Sequence, residues 1–209
     1  MITIVFGSPR AGKTTLAARY TKQYLKQGVP VYGNAEIQGM IPFPLDDLGK
    51  VTPPAGSVLI IDEAGIHYNN RKYKSLSQKT IEWFKLHGHY KVDVIVLSQS
   101  WEDMDITLRR LADKLIYIRK LGAGLTILRP VRKFVQIDQV THQILDGYRF
   151  LPIWYSLLRL LIIGRIIRLP KPFSFLFRPR YYKLFDSWSV PKTPVFEVNP
   201  GAELSRSDV

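Results

Sequence analysis

The sequence predicts an α/β fold in which a mainly parallel sheet is covered by helices on both faces. Three observations predict it. Short apolar runs alternate with stretches of helical spacing from Met1 to Leu115, the pattern of strand–helix–strand units. A glycine-containing loop stands between the first apolar run and the first helical stretch. From Leu115 onward the period changes to that of paired strands, with a Gly122-Ala-Gly124 turn between two of them. The 209 residues include 46% hydrophobic and 22% charged side chains, the composition of a folded chain. At this length about 70% of the unfolded surface is buried on folding, so no disulfide or structural metal is required. With no cysteine in the chain, disulfide frameworks, zinc fingers and cysteine catalysis are excluded.

The elements follow in order. Met1–Phe6 reads as a buried strand; it has neither the basic start nor the length of a cleavable leader. Gly7–Thr14 is a loop, and Thr15–Gln27 a helix stopped by Gly28. Val29–Gly33 is a second strand, after which Pro42, Pro44, Pro53 and Pro54 mark irregular chain. Ser57–Ile61 is a third strand. Ser77–His87 has helical spacing with Ile81, Trp83 and Phe84 turned inward, Val92–Leu97 is a fourth strand, and Leu108–Leu115 a short helix. Leu115–Arg119 and Leu125–Leu128 form a hairpin, and Phe134–Ile137 a further strand.

The chemistry starts in the first loop. Gly7-Ser8-Pro9-Arg10-Ala11-Gly12-Lys13-Thr14, followed by Thr15, satisfies G-x-x-x-x-G-K-[ST] between a strand and a helix. Its glycines let successive N–H groups point at phosphate oxygens. The helix start adds its positive dipole end, Lys13 reaches the β- and γ-phosphates, and Thr14 is placed to ligate Mg2+. Asp62 and Glu63 end an apolar strand, where Asp62 suits the magnesium shell and Glu63 suits a general base for the attacking water. Gln99 ends the strand Val94–Ser98 and offers an uncharged amide to orient water or sense a γ-phosphate. No Asn-Lys-x-Asp tetrapeptide is present, so ATP is expected rather than GTP. Arg109 and Arg110 fit two readings equally: surface charge on a helix, or an arginine finger supplied to a neighbouring subunit, with Arg109 preferred. His87 and His89 lack a third ligand at metal-binding spacing and are expected to be structural.

These residues resemble the Zot-like family, the cytoplasmic ATPase domain of filamentous-phage assembly proteins and of zonula occludens toxin. The likeness rests on the strand and loop from Met1 to Thr14, on Ile60-Ile-Asp-Glu-Ala64 with Arg71, on His87-Gly-His89 before Asp93 and the strand ending in Gln99, and on Asp105-Ile-Thr-Leu-Arg109; Tyr182–Ser187 resembles that domain's end weakly. Gly88 stands where the family usually has a basic residue. The resemblance implies a P-loop NTPase of RecA/FtsK-like architecture, related to FtsK/HerA-type motors, with ATP and Mg2+ as cofactors. It implies a homo-oligomer that works with single- or double-stranded DNA or with phage assembly proteins, in virion assembly or in genome packaging.

The formal net charge is +13 and it is unevenly placed. Residues 1–148, expected to be the ATPase domain, hold 20 basic and 13 acidic side chains, and residues 149–209 hold 10 and 4. No acid lies between Asp146 and Asp186. Residues 149–197 are therefore expected to be an apolar, basic C-terminal extension and residues 198–209 a polar tail. Ile153, Leu157, Leu160, Ile163 and Ile167 make one helical stripe between Pro152 and Pro170. A helix of this length spans about 26 Å, and Arg159 sits near its middle. That pattern fits a membrane surface or a subunit contact better than a crossing. The aromatic and arginine residues of Phe173–Tyr182 fit lipid contact first and stacking of single-stranded bases second. The expected location is the host cytoplasm, peripheral at the inner face of the cell membrane.

Overall fold

Five consecutive apolar or β-branched residues, Ile2–Phe6, form strand β1, and every one of them is buried. A strand buried on both faces belongs at the middle of a sandwiched sheet, and that is where β1 lies. A computed structural model describes residues 1–63, 78–137, 144–150 and 173–185. Among these residues the strands are β1, β2 (Val31–Gly33), β3 (Ile41–Pro42), β4 (Val58–Ile61), β5 (Asp93–Ser98), β6 (Lys114–Gly122), β7 (Leu125–Ile137), β8 (Ile144–Phe150) and β9 (Ser174–Phe177). Helices α1 (Lys13–Lys26), α2 (Gln78–Leu86) and α3 (Ile106–Leu111) connect them, with 3-10 turns at Leu45–Asp47 and Arg178–Leu184.

The sheet order is β3-β2-β4-β5-β1-β6-β7-β8, with β9 also on β7. From β3 to β6 every pairing is parallel. Strand β7 then turns back antiparallel on β6, and its outer edge is shared: β9 covers Leu125–Leu128 and β8 covers Val131–Ile137. Two antiparallel steps return β9 to the direction of β1. The carboxyl ends of β1, β2, β4, β5 and β9 therefore open on one edge of the sheet, where ligands bind in open α/β folds.

Alternation along β1 divides two cores. Ile2, Ile4 and Phe6 pack with Trp83, Phe84, Trp101, Met104 and Leu108 on the face covered by α2 and α3. Val5 packs with Leu16, Ala17 and Ala18 of α1, together with Ile60, Leu97, Ile118 and Leu176, on the other. The α/β, mainly parallel fold read from the sequence is the fold observed.

Several boundaries differ for local reasons. Helix α1 begins at Lys13 because the loop runs directly into it from Gly12. Strand β3 and the 3-10 turn at Leu45–Asp47 occupy the proline-marked segment read as irregular. Helix α3 starts at Ile106, since the Asp105 carboxylate accepts from Thr107 N at 2.7 Å; such a cap fixes a helix start. It ends at Leu111, and Leu115 belongs to β6. In α2 the inward residues are Thr80, Trp83 and Phe84, with Ile81 partly buried. The segments 125–128 and 134–137 are parts of one strand, and Pro130 falls where its outer edge changes partner from β9 to β8.

Strand β8 runs across residue 148, and β9 joins the same sheet. The stripe Ile153–Leu169, the polar tail 198–209, Ala64, Arg71, Ser77, Asp186 and Ser187 lie outside the described residues. Among the described residues no helix is long and apolar enough to cross a membrane.

Candidate functional site

The loop after β1 is shaped by close approach. A Cβ on Gly7 would stand 2.2 Å from the Ile118 carbonyl oxygen of β6, so only glycine lets the chain leave β1 there. Gly12 has φ +101, the left-handed region that glycine enters without strain. A Cβ on it would meet Arg178 Cδ at 2.9 Å and Thr126 Oγ1 at 3.1 Å. The loop closes on itself through Ala11 N donating to Ser8 O at 3.2 Å. From behind, the buried Thr126 hydroxyl of β7 donates to Ala11 O at 2.7 Å. Arg10 also holds a left-handed conformation, φ +59. Helix α1 has no side-chain cap and no acid in its first turn. Its leading N–H groups and positive dipole end are thus left to an anion.

Lys13 is only 6% exposed. Its Nζ donates to the Gly7 and Ser8 carbonyls at 2.9 and 3.2 Å, across the mouth of the loop. Burial lowers its pKa, and the nearby Glu63 and Asp62 carboxylates oppose that shift. An ammonium desolvated in this way gains strongly from phosphate.

Asp62 follows β4. Thr14 Oγ1 donates to Asp62 Oδ2 at 3.0 Å, so the two residues read as magnesium ligands already touch. Burial raises the Asp62 pKa, partly offset by the Thr14 hydrogen bond. Its main chain is clamped from β2: Asn34 Nδ2 donates to Asp62 O at 2.9 Å, and Asp62 N donates to Asn34 Oδ1 at 2.7 Å. Glu63 takes φ +52, a conformation that costs a non-glycine residue about 1 kcal/mol and is concentrated at functional sites. That bend brings its carboxylate to Gln99 at the end of β5, whose Nε2 donates to Glu63 Oε2 at 3.0 Å.

A cleft of about 620 Å3 joins these groups. Pro9, Arg10, Gly12, Lys13, Thr14 and Thr15 form its floor, and Glu63 and Gln99 one side. Gly7, Ser8, Ala11 and Asp62 belong to the same loop and its direct partners. The remaining wall is Arg178, Tyr182 and Phe185. Sequence reasoning singled out Phe173–Tyr182 and Tyr182–Ser187 without placing them at this cleft, and it missed Asn34 and Thr126, which belong to no motif. The sequence did carry one relevant signal, the acid-free basic stretch that contains Arg178.

Arg109 is not part of the cleft lining. It is 8% exposed on α3, with its guanidinium carbon 5.4 Å from the Trp101 ring centroid. The side chain packs against Trp101 of the same chain. Arg110 is the exposed one of the pair. His87 Nδ1 lies 2.7 Å from Phe84 O at the end of α2, a structural contact.

Residues 44–145 match the family model described as zonular occludens toxin, Zot. That span begins after the phosphate loop, which the match therefore leaves to its own geometry. The fold is similar to the N-terminal domain of zonular occludens toxin from Neisseria meningitidis, with a TM-score of 0.55 and 18% identity over 88% of this chain and 98% of that one. It is also similar to the genome packaging NTPase B204 from Sulfolobus turreted icosahedral virus 2, in complex with sulfate, with a TM-score of 0.50 and 12% identity over 70% of this chain and 94% of that one. At these identities the likenesses show the shared fold. No curated protein sequence matches the chain.

Proposed function

We propose that this chain, a P-loop NTPase of the Zot family, is a magnesium-dependent ATPase that powers virion assembly or DNA extrusion at the cytoplasmic face of a membrane. One observation carries the ATPase reading. The Thr14–Asp62 contact, the Lys13 ammonium and the Glu63–Gln99 pair converge on one cleft at the carboxyl edge of the sheet. The amides of the loop and the start of α1 bind the phosphates. Lys13 exchanges two backbone carbonyls for β- and γ-phosphate oxygens. Glu63 accepts a proton from the attacking water, and Gln99 fixes the direction of that carboxylate and responds to the γ-phosphate.

The residues present fit magnesium. A hydroxyl and a carboxylate 3.0 Å apart are hard oxygen donors, and Mg2+ in such sites is held by few protein ligands plus substrate phosphates. When bound, it supplies charge neutralisation at the β- and γ-oxygens.

The assembly role is supported by the family match and by the basic surplus of the C-terminal third. It predicts a ring or cluster of subunits and co-flotation with anionic vesicles. The second reading, a genome-packaging motor, is favoured by the shared fold with B204; it predicts turnover stimulated by DNA with no need of lipid. Steady-state phosphate release by the full chain and by Lys13→Ala tests the common core. The variant is expected to fall by at least about 10²-fold, and unchanged turnover would sink the assignment.

A further inference from the structure

The wall of Arg178, Tyr182 and Phe185 gives the cleft a second function. Strand β9 runs in the direction of β1 and delivers Arg178 to the same edge of the sheet. The 3-10 turn Arg178–Leu184 then arches over α1 to the loop after β2. It is pinned at both ends. Arg178 N donates to Gly124 O at 2.8 Å, Gln38 N donates to Leu184 O at 2.8 Å, and Phe185 bridges to Ile37. Such an arch is preformed and not assembled by its ligand.

Its chemistry divides along its length. The Arg178 stem crosses Gly12, the residue before α1, and its Nε contacts Gly124 O at a long 3.4 Å. Among the described residues no carboxylate pairs with it, and the chain from Gly147 to Phe185 contains no acid. A planar cation held beside a phosphate-binding loop with no protein counter-ion suits a phosphate oxygen. Farther along, Tyr182 and Phe185 are the aromatic residues of the cleft lining, with ring centroids 6.5 Å apart and planes at 79°. Tyr182 is 47% exposed and lines the cleft.

We infer that residues 178–185 are the nucleotide-reading wall of the site: Tyr182 stacks on the base, Phe185 supports it edge-on, and Arg178 binds the phosphate chain in cis. The inference rests on the ATPase reading above and adds the residues that distinguish a nucleotide from bare polyphosphate.

The test is equilibrium binding of ATP, ADP and inorganic tripolyphosphate to the full chain, with thermal melting of each variant as a check on folding. Tyr182→Ala is expected to weaken ATP and ADP about tenfold, the scale of lost base stacking, and to leave tripolyphosphate within about twofold. Tyr182→Phe should bind all three like the wild type. Arg178→Ala should weaken ATP and tripolyphosphate alike, by about tenfold, and Arg178→Lys should restore part of that loss. Equal loss of ATP and tripolyphosphate in Tyr182→Ala, or no loss in either alanine variant, overturns the inference while leaving the ATPase reading intact. A folded wild-type chain that binds none of the three overturns the ATPase reading itself, and the inference with it.

Discussion

The two sides of the cleft are built by different rules. On the β4–β5 side, Asp62, Glu63 and Gln99 each stand one or two residues past the end of a parallel strand next to β1 or one strand further out. Local sequence is enough to place them, because a strand end in a parallel sheet has a known address. On the β7–β9 side, Thr126 stands on β7 itself, and Arg178, Tyr182 and Phe185 are brought to the cleft by the antiparallel pairing of β9 with that strand, some fifty residues earlier. In the proposed reading one side performs the chemistry and the other supports and completes the container.

The comparison can be broken on either side, and three changes do so in descending order. Asn34→Ala removes both hydrogen bonds that clamp the Asp62 main chain. Losing partners behind a metal ligand weakens metal binding about 10–100-fold, so the magnesium concentration for half-maximal turnover should rise by that factor. An unchanged magnesium dependence would remove Asn34 from the site.

Thr126→Val keeps the shape of a buried side chain but deletes the donor to Ala11 O. A buried carbonyl left unpaired costs about 1–3 kcal/mol. Denaturant unfolding should show that loss, with nucleotide affinity falling in parallel because the loop loses its backing. Loss of affinity at unchanged stability would contradict a supporting role.

The smallest expected effect is Asp62→Asn in nucleotide-free protein. Burial raises the Asp62 pKa, so its charged form opposes folding at neutral pH, and that opposition is relieved as pH falls through the raised value. The variant should melt slightly higher than wild type at neutral pH, because it removes a partly buried charge. The difference should vanish toward acid pH, whereas turnover should be lost throughout.

Much of this molecule was legible from its residues, and the illegible parts have physical reasons. The strand Ile2–Phe6, the loop to Thr14 and the acids after β4 follow from apolar runs and glycine positions. That Gln99 would touch Glu63 follows from placing β5 beside β4, and the Thr14–Asp62 contact bridges from the loop after β1 to the end of β4, one strand further out. Arg109 was not readable as buried, because helical spacing does not reveal that Trp101 waits beneath it. Strand β9 has four residues, three of them aromatic or leucine with only one buried; alone it resembles a lipid- or base-binding stretch. Only its pairing with Leu125–Leu128 shows that it is sheet. Pro130 makes β7 look like two strands because proline usually ends one, and the gap between β8 and β9 is visible only in three dimensions.

The most direct test of the central claim is a paired measurement on Glu63→Gln, with ATP binding and ATP turnover followed on the same preparation. The account assigns Glu63 to proton transfer and the loop, Lys13 and the C-terminal wall to binding. It predicts affinity within about twofold of wild type and turnover lower by about 10²–10⁴-fold. Turnover at the wild-type rate would contradict it.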